Sequence, residues 1–135
     1  MTPSEGLARL RAAVESGELD RLCRQWKVNL FTVFGSAGRG EPAPGDLDIA
    51  VLTDRGADFD LYGFVTEVIG IVGLEKVDVA HLNAAGPLLR ERALVGAIIL
   101  YEREPGTWAR ASTAAAMERM DTDWLRRLGL ELLAG

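Results

Sequence analysis

Apolar residues recur at helical spacing at Leu7, Leu10 and Val14, behind a Pro3 suited to a first turn and with Ser4 as the expected cap. Gly17 interrupts that stripe, and Leu19, Leu22, Cys23 and Trp26 resume it as a second short helix. Residues 28–34 (VNLFTVF) are dense in β-branched and aromatic side chains and predict a strand. Residues 35–45 (GSAGRGEPAPG), with four glycines and two prolines, predict a turn. A second strand is expected over 46–52 (DLDIAVL), then a helix over 58–71 with a stripe of Leu61, Val65, Val68, Ile69 and Val72. A third strand follows over 76–82 (KVDVAHL), a helix over 87–95 and a fourth, edge strand over 97–101 (AIILY). Past Pro105-Gly106 the pattern is helical, stepping through Met117, Met120, Trp124, Leu128 and Leu132, with a break expected at 121–123. This order predicts an α+β fold: a small mixed sheet of about four strands with helices packed on one face and a helical C-terminal tail. The chain reads as one domain over 1–135, its core about 18–104 and its tail about 105–135.

Composition narrows the function. The 135 residues carry 15 Lys and Arg against 20 Asp and Glu, a formal charge of −5, which argues against holding nucleic acid by blanket phosphate neutralisation. Cys23 is the only cysteine, so no internal disulfide and no cysteine-based zinc cluster can form. His81 is the only histidine and would have to serve in any Ser-His-Asp or Cys-His relay. The start, MTPSE, lacks the basic and apolar segments of a signal peptide, and the longest apolar run, 93–101, is far short of the roughly 20 residues a membrane span needs. The expected location is cytoplasmic, where a lone thiol stays reduced.

Chemistry concentrates in residues 34–52. A strand ending at Gly35, with Ser36 where a helical turn would need a cap, offers backbone N–H groups to an anion; Arg39 is within reach of the same charge. Asp46 and Asp48 are two residues apart on the next strand, so their carboxylates share a face while Leu47, Ile49 and Val51 point into the core. Asp78 alternates in the same way with Val77 and Val79. If the two strands are neighbours, three carboxylates meet on one patch and repel unless a divalent cation neutralises them. All-oxygen donors select Mg²⁺ or Mn²⁺. A phosphate-cradling turn beside such a site points to a nucleoside triphosphate.

This constellation resembles the nucleotidyltransferases of the DNA polymerase beta superfamily, above all the minimal nucleotidyltransferase (MNT) domains that act as antitoxins. The family signature is G-S, a spacer of about ten residues, D-x-D, and a third Asp on a later strand. Here these are Gly35 and Ser36, Asp46 and Asp48, and Asp78, with Arg39-Gly40 as the R-G of the turn and a spacer, 37–45, of nine residues. The stretch IILYEREP followed by a terminal helix is also similar to that family. The resemblance implies Mg²⁺-dependent transfer of AMP from ATP, with two ions held by Asp46, Asp48 and Asp78 and the triphosphate on Gly35, Ser36 and Arg39. It further implies a HEPN-domain toxin as partner, silenced by AMP on a tyrosine. Adenylylation of a small-molecule hydroxyl and a non-enzymatic antitoxin that only masks its partner are the alternatives.

The remaining notable residues read as structural. Alternation puts His81 on the face opposite Asp78, Cys23 lies on a helical apolar stripe, and Trp26 and Trp108 read as anchors. The stripe through Trp124 has little core left to bury against and is expected to cover a partner.

Overall fold

The alternation of β1 (Val28–Phe34) decides what covers each face of the sheet. β2 (Leu47–Thr53) pairs with it antiparallel, β3 (Val77–His81) joins β2 in parallel, and β4 (Ile98–Glu102) pairs antiparallel with the other edge of β1. The order is β3-β2-β1-β4, a mixed four-strand sheet in an α+β fold, as the sequence pattern predicts. The computed structural model describes residues 1–134, and for 121–123, 125 and 128–134 the backbone alone.

The helices are α1 (Pro3–Ser16), α2 (Glu18–Gln25), the single turn α3 (Gly35–Gly38), α4 (Leu61–Val72), α5 (Pro87–Leu94) and α6 (Thr107–Ala134). On one face of the sheet, Val28, Phe31 and Val33 of β1, Leu47, Ile49 and Val51 of β2, and Val77 of β3 are buried beneath α1, α2 and α4. Leu10, Leu19, Leu22, Phe64, Val68 and Val72 fill the helix side. Phe64 lies outside the expected stripe of α4 yet is fully buried, with ring centroids 6.3 Å from Phe31 and 5.9 Å from Trp26. Burying such a ring contributes roughly 1.5–3 kcal/mol. The second face is not bare. There Leu30, Ala50, Leu82, Ala93, Leu94 and Ala115 form a smaller cluster beneath α5 and the first turns of α6. Thr32 Oγ1 donates to the Ala93 carbonyl at 3.1 Å, tying α5 to the middle of β1.

Boundaries follow the caps. Thr2, not Ser4, caps α1, accepting from the Glu5 N–H at 3.2 Å. Gly17, at φ 83°, ends α1 in the left-handed region and begins α2. Asp60 accepts from the Gly63 N–H at 3.1 Å, so α4 starts at Leu61 rather than at 58. α6 runs through 121–123 as one helix, without the expected break. Among the described residues no helix is long and apolar enough to cross a membrane.

Candidate active site

The second face of the sheet is laid out in rows. Thr32, Ala50 and Ala80 stand in register across β1, β2 and β3, and α5 covers them. One step along, Phe34, Asp48 and Asp78 stand in register, where Phe34 and Asp48 are half-buried and Asp78 is exposed. The small alanines let a helix approach, and the row beyond it opens to solvent with two carboxylates side by side. Asp46 sits one residue before β2 begins, two residues from Asp48, and is exposed.

The turn after β1 borders this row. Gly35 has φ 69°, a left-handed conformation that glycine adopts without penalty, and the chain winds into α3 directly after Phe34. A Cβ on Gly35 would strike Asp48 Oδ2, and one on Gly38 would come within 2.6 Å of the Val33 carbonyl oxygen. The two glycines therefore let the turn lie against both strand ends. Ser36 is not the cap of this turn, because Phe34 occupies that position; its hydroxyl donates to the Asp46 carbonyl over a long 3.5 Å. Arg39 follows α3, is exposed, and pairs with Glu41 at 3.1 Å.

Electrostatics converge on Asp48. Burial raises its carboxyl above the ordinary value, Asp46 and then Asp78 raise it further, and Arg39 and Arg92 act in the opposite sense. Among the described residues no three His, Cys, Asp or Glu side chains are drawn close enough to form a ready metal cage. The donor chemistry of Asp46, Asp48 and Asp78 is nonetheless all carboxylate oxygen on the same rim, a set that fits a hard divalent cation.

Arg92 is the site residue the sequence conceals. It lies in the last turn of α5, within the charged run Arg90-Glu91-Arg92, and nothing local separates it from a solvated helix face. Packing of α5 on β1 brings it to a cavity of about 250 Å³ lined by Gly35, Gly38, Arg39, Asp48 and Arg92, with Phe34 and the 95–97 loop as the remaining wall. A larger cavity of about 500 Å³ lies between Leu52, α5 and α6 and is not lined by Asp46, Asp48 or Asp78.

The other singled-out residues lie elsewhere. His81 pairs with Thr53 Oγ1 at 2.9 Å and packs on Phe59 with centroids 4.7 Å apart; burial lowers its pKa and favours the neutral ring. Cys23 is buried, which pushes its thiol up and leaves it inert, with Asp20 adding to the shift. Trp108 donates from Nε1 to the Leu94 carbonyl at 2.7 Å, and Trp26 packs edge-on to Phe59 and Phe64. Along α6, Met117, Met120 and Trp124 are 60%, 70% and 62% exposed; Leu128 and Leu132 of the same stripe lie outside the described side chains.

The family profile described as "Polymerase beta, Nucleotidyltransferase" matches residues 18–106. No curated protein matches the chain. Among solved structures, a toxin–antitoxin crystal structure with AMP-PNP is similar at a TM-score of 0.67 and 18% identity, over 88% of this chain and 98% of the other. A complex of the tri-AMPylated Shewanella oneidensis HEPN toxin with its MNT antitoxin is similar at 0.64 and 17%, over 93% and 99%. A MntA-HepT toxin–antitoxin structure is similar at 0.62 and 16%, over 88% and 96%. At these identities the likeness shows a shared fold.

Proposed function

This chain belongs to the polymerase beta nucleotidyltransferase family, and from that premise we propose that it is an antitoxin that transfers AMP from ATP to a tyrosine hydroxyl of a HEPN-domain toxin. The observation that carries the reading is the row Phe34–Asp48–Asp78, with the Gly35 turn against Asp48. It sets carboxylates and a phosphate-sized cavity on one rim. The likeness in fold to chains from complexes with AMP-PNP and with an AMPylated HEPN toxin supports the nucleotide and the acceptor class.

In the proposed reaction the triphosphate lies along the Gly35–Ser36 turn, with Arg39 offsetting its charge. Mg²⁺ held by Asp46, Asp48 and Asp78 would supply charge neutralisation and a Lewis acid for the α-phosphate. The tyrosine oxygen of the docked partner attacks the α-phosphorus and forms a new P–O bond. The bond from that phosphorus to the bridging oxygen breaks, its electron pair leaves with pyrophosphate, and Asp78 takes the hydroxyl proton. Catalysis is then positioning and charge stabilisation, which is what phosphoryl-type transfer asks of a protein. The buried Cys23 and the neutral His81, paired with Thr53 on the other face, are no nucleophile here, so the acceptor comes from the partner. A reducing, cytoplasmic setting suits both the free thiol and an intracellular toxin.

The test incubates the chain with the HEPN-domain protein that co-purifies with it, ATP and Mg²⁺. The partner's intact mass rises by one or more AMP units and pyrophosphate is released, whereas Asp48→Asn leaves the mass fixed. A stable complex whose partner mass never changes with the unaltered chain makes the protein a masking antitoxin and ends the enzymatic reading.

A further inference from the structure

We propose that Arg92, at the end of α5, is a phosphate-binding residue that shares the cavity with Arg39 and makes the site selective for a nucleoside triphosphate over the monophosphate. This rests on the nucleotidyltransferase reading and adds a residue to it. Three observations carry it. Arg39 and Arg92 both line the cavity of about 250 Å³ that Asp48 also lines, one from the end of α3 and the other from the last turn of α5. Arg39 already spends part of its guanidinium on Glu41 at 3.1 Å, whereas Arg92 is exposed and has no ion-pair partner among the described residues. Gly35, Gly38 and Gly96 leave gaps in a wall that Phe34, Val95 and Ala97 complete, so an anion can reach the backbone at the glycines.

Charge decides the ligand. Three carboxylates on the rim repel any anion, so a bound polyphosphate needs fixed positive charge on the side away from them. Two guanidiniums lining one cavity provide it, and each can bind phosphate oxygens in a bidentate fork. The α-phosphate must lie at the carboxylates, where transfer takes place. The β- and γ-phosphates therefore fall in the cavity, and AMP leaves it empty. In the transfer itself, Arg92 stabilises the charge that collects on pyrophosphate as the bond to the α-phosphorus breaks.

The competing role for Arg92 is to offset the helix dipole at the C-terminus of α5. That role affects melting temperature and is blind to the number of phosphates. Calorimetric titration of the full chain with AMP-PNP and with AMP, each with Mg²⁺, separates the two. Arg92→Ala is expected to weaken AMP-PNP by about tenfold or more while changing AMP by less than about twofold, with an unchanged melting temperature. Arg92→Lys, which keeps the charge but not the fork, is expected to recover part of the loss. Equal affinities of Arg92→Ala and the unaltered chain for AMP-PNP overturn the role of Arg92 alone, as does an equal loss for both nucleotides. Failure of the unaltered chain to bind AMP-PNP at all overturns the nucleotidyltransferase reading with it.

Discussion

The carboxylate of Asp48 occupies the space that a side chain on residue 35 would need, since a Cβ built on Gly35 meets Asp48 Oδ2 before any other atom. The turn and the carboxylate are thus one device: the backbone of the turn can lie beside the acid only because position 35 has no side chain.

Gly35→Ala is expected to lose about 1–2 kcal/mol for the left-handed backbone, to displace Asp48, and with it to lose AMP-PNP binding in the presence of Mg²⁺. Gly40 is the control. It has φ 73°, but nothing lies within 4 Å of its missing Cβ, so Gly40→Ala should show the stability loss in urea and keep the nucleotide. Equal nucleotide affinity in both variants would break the link between Gly35 and Asp48.

Asp48→Asn should stabilise the protein while abolishing transfer. Burial, Asp46 and Asp78 hold the Asp48 carboxyl above its ordinary value of 3.8. A carboxyl raised in the folded state costs nothing when protonated in both states and opposes folding once ionised. The penalty grows as pH rises through 3.8 toward the folded value and stays constant above it. Melting curves of the variant and the unaltered chain should therefore coincide in strong acid and separate above that window, the variant melting higher at pH 7.

Much of this arrangement was legible beforehand. β1 was readable because VNLFTVF is apolar on both faces, as befits a strand covered by α2 on one side and α5 on the other. Asp48 and Asp78 were readable because each alternates with core valines, leucines or isoleucines, and alternation fixes the face. The burial of Phe64 was not, because its place beside Trp26 and Phe31 depends on how α4 crosses the sheet. Nor was the role of Thr2, since Ser4 offers the same hydroxyl two residues on. Arg92 was hidden for a similar reason: Arg90, two residues away, turns instead to the Leu82 carbonyl at 2.9 Å and to Glu118 at 3.2 Å. Which arginine faces the cavity is decided by the phase of α5, fixed by Ala93 and Leu94 in the second core.

Arg103 and Asp54 form a fork-to-carboxylate pair, one bond of 3.1 Å between Nη1 and Oδ2, that joins β4 to the end of β2. The pair is about a third exposed on each side, so Arg103→Ala should cost only about 0.5–1 kcal/mol. The hydrogen bond from Arg103 holds the Asp54 carboxyl below its ordinary value of 3.8. Its contribution is present above that value and is lost as pH falls through the depressed folded one. The stability difference between Arg103→Ala and the unaltered chain should shrink in strong acid and be flat from pH 5 to pH 8.

Trp124 should matter to the complex and not to the isolated fold. Met117, Met120 and Trp124 are all more than half exposed along α6, although they carry the apolar stripe of that helix. Among the described residues the second core reaches α6 only as far as Ala115, and the stripe at Met117, Met120 and Trp124 lies beyond it. Aromatic anchors dominate binding when a partner desolvates them, and truncation then costs about 2 kcal/mol or more. In water the same truncation removes little covered surface, since Trp124 is 62% exposed, and should change stability by no more than about 0.5 kcal/mol. Trp124→Ala is thus expected to raise the dissociation constant of the complex with the proposed HEPN-domain partner while the melting temperature of the free chain holds. A variant that binds as tightly but melts lower would make α6 part of this chain's own core and move the docking surface elsewhere.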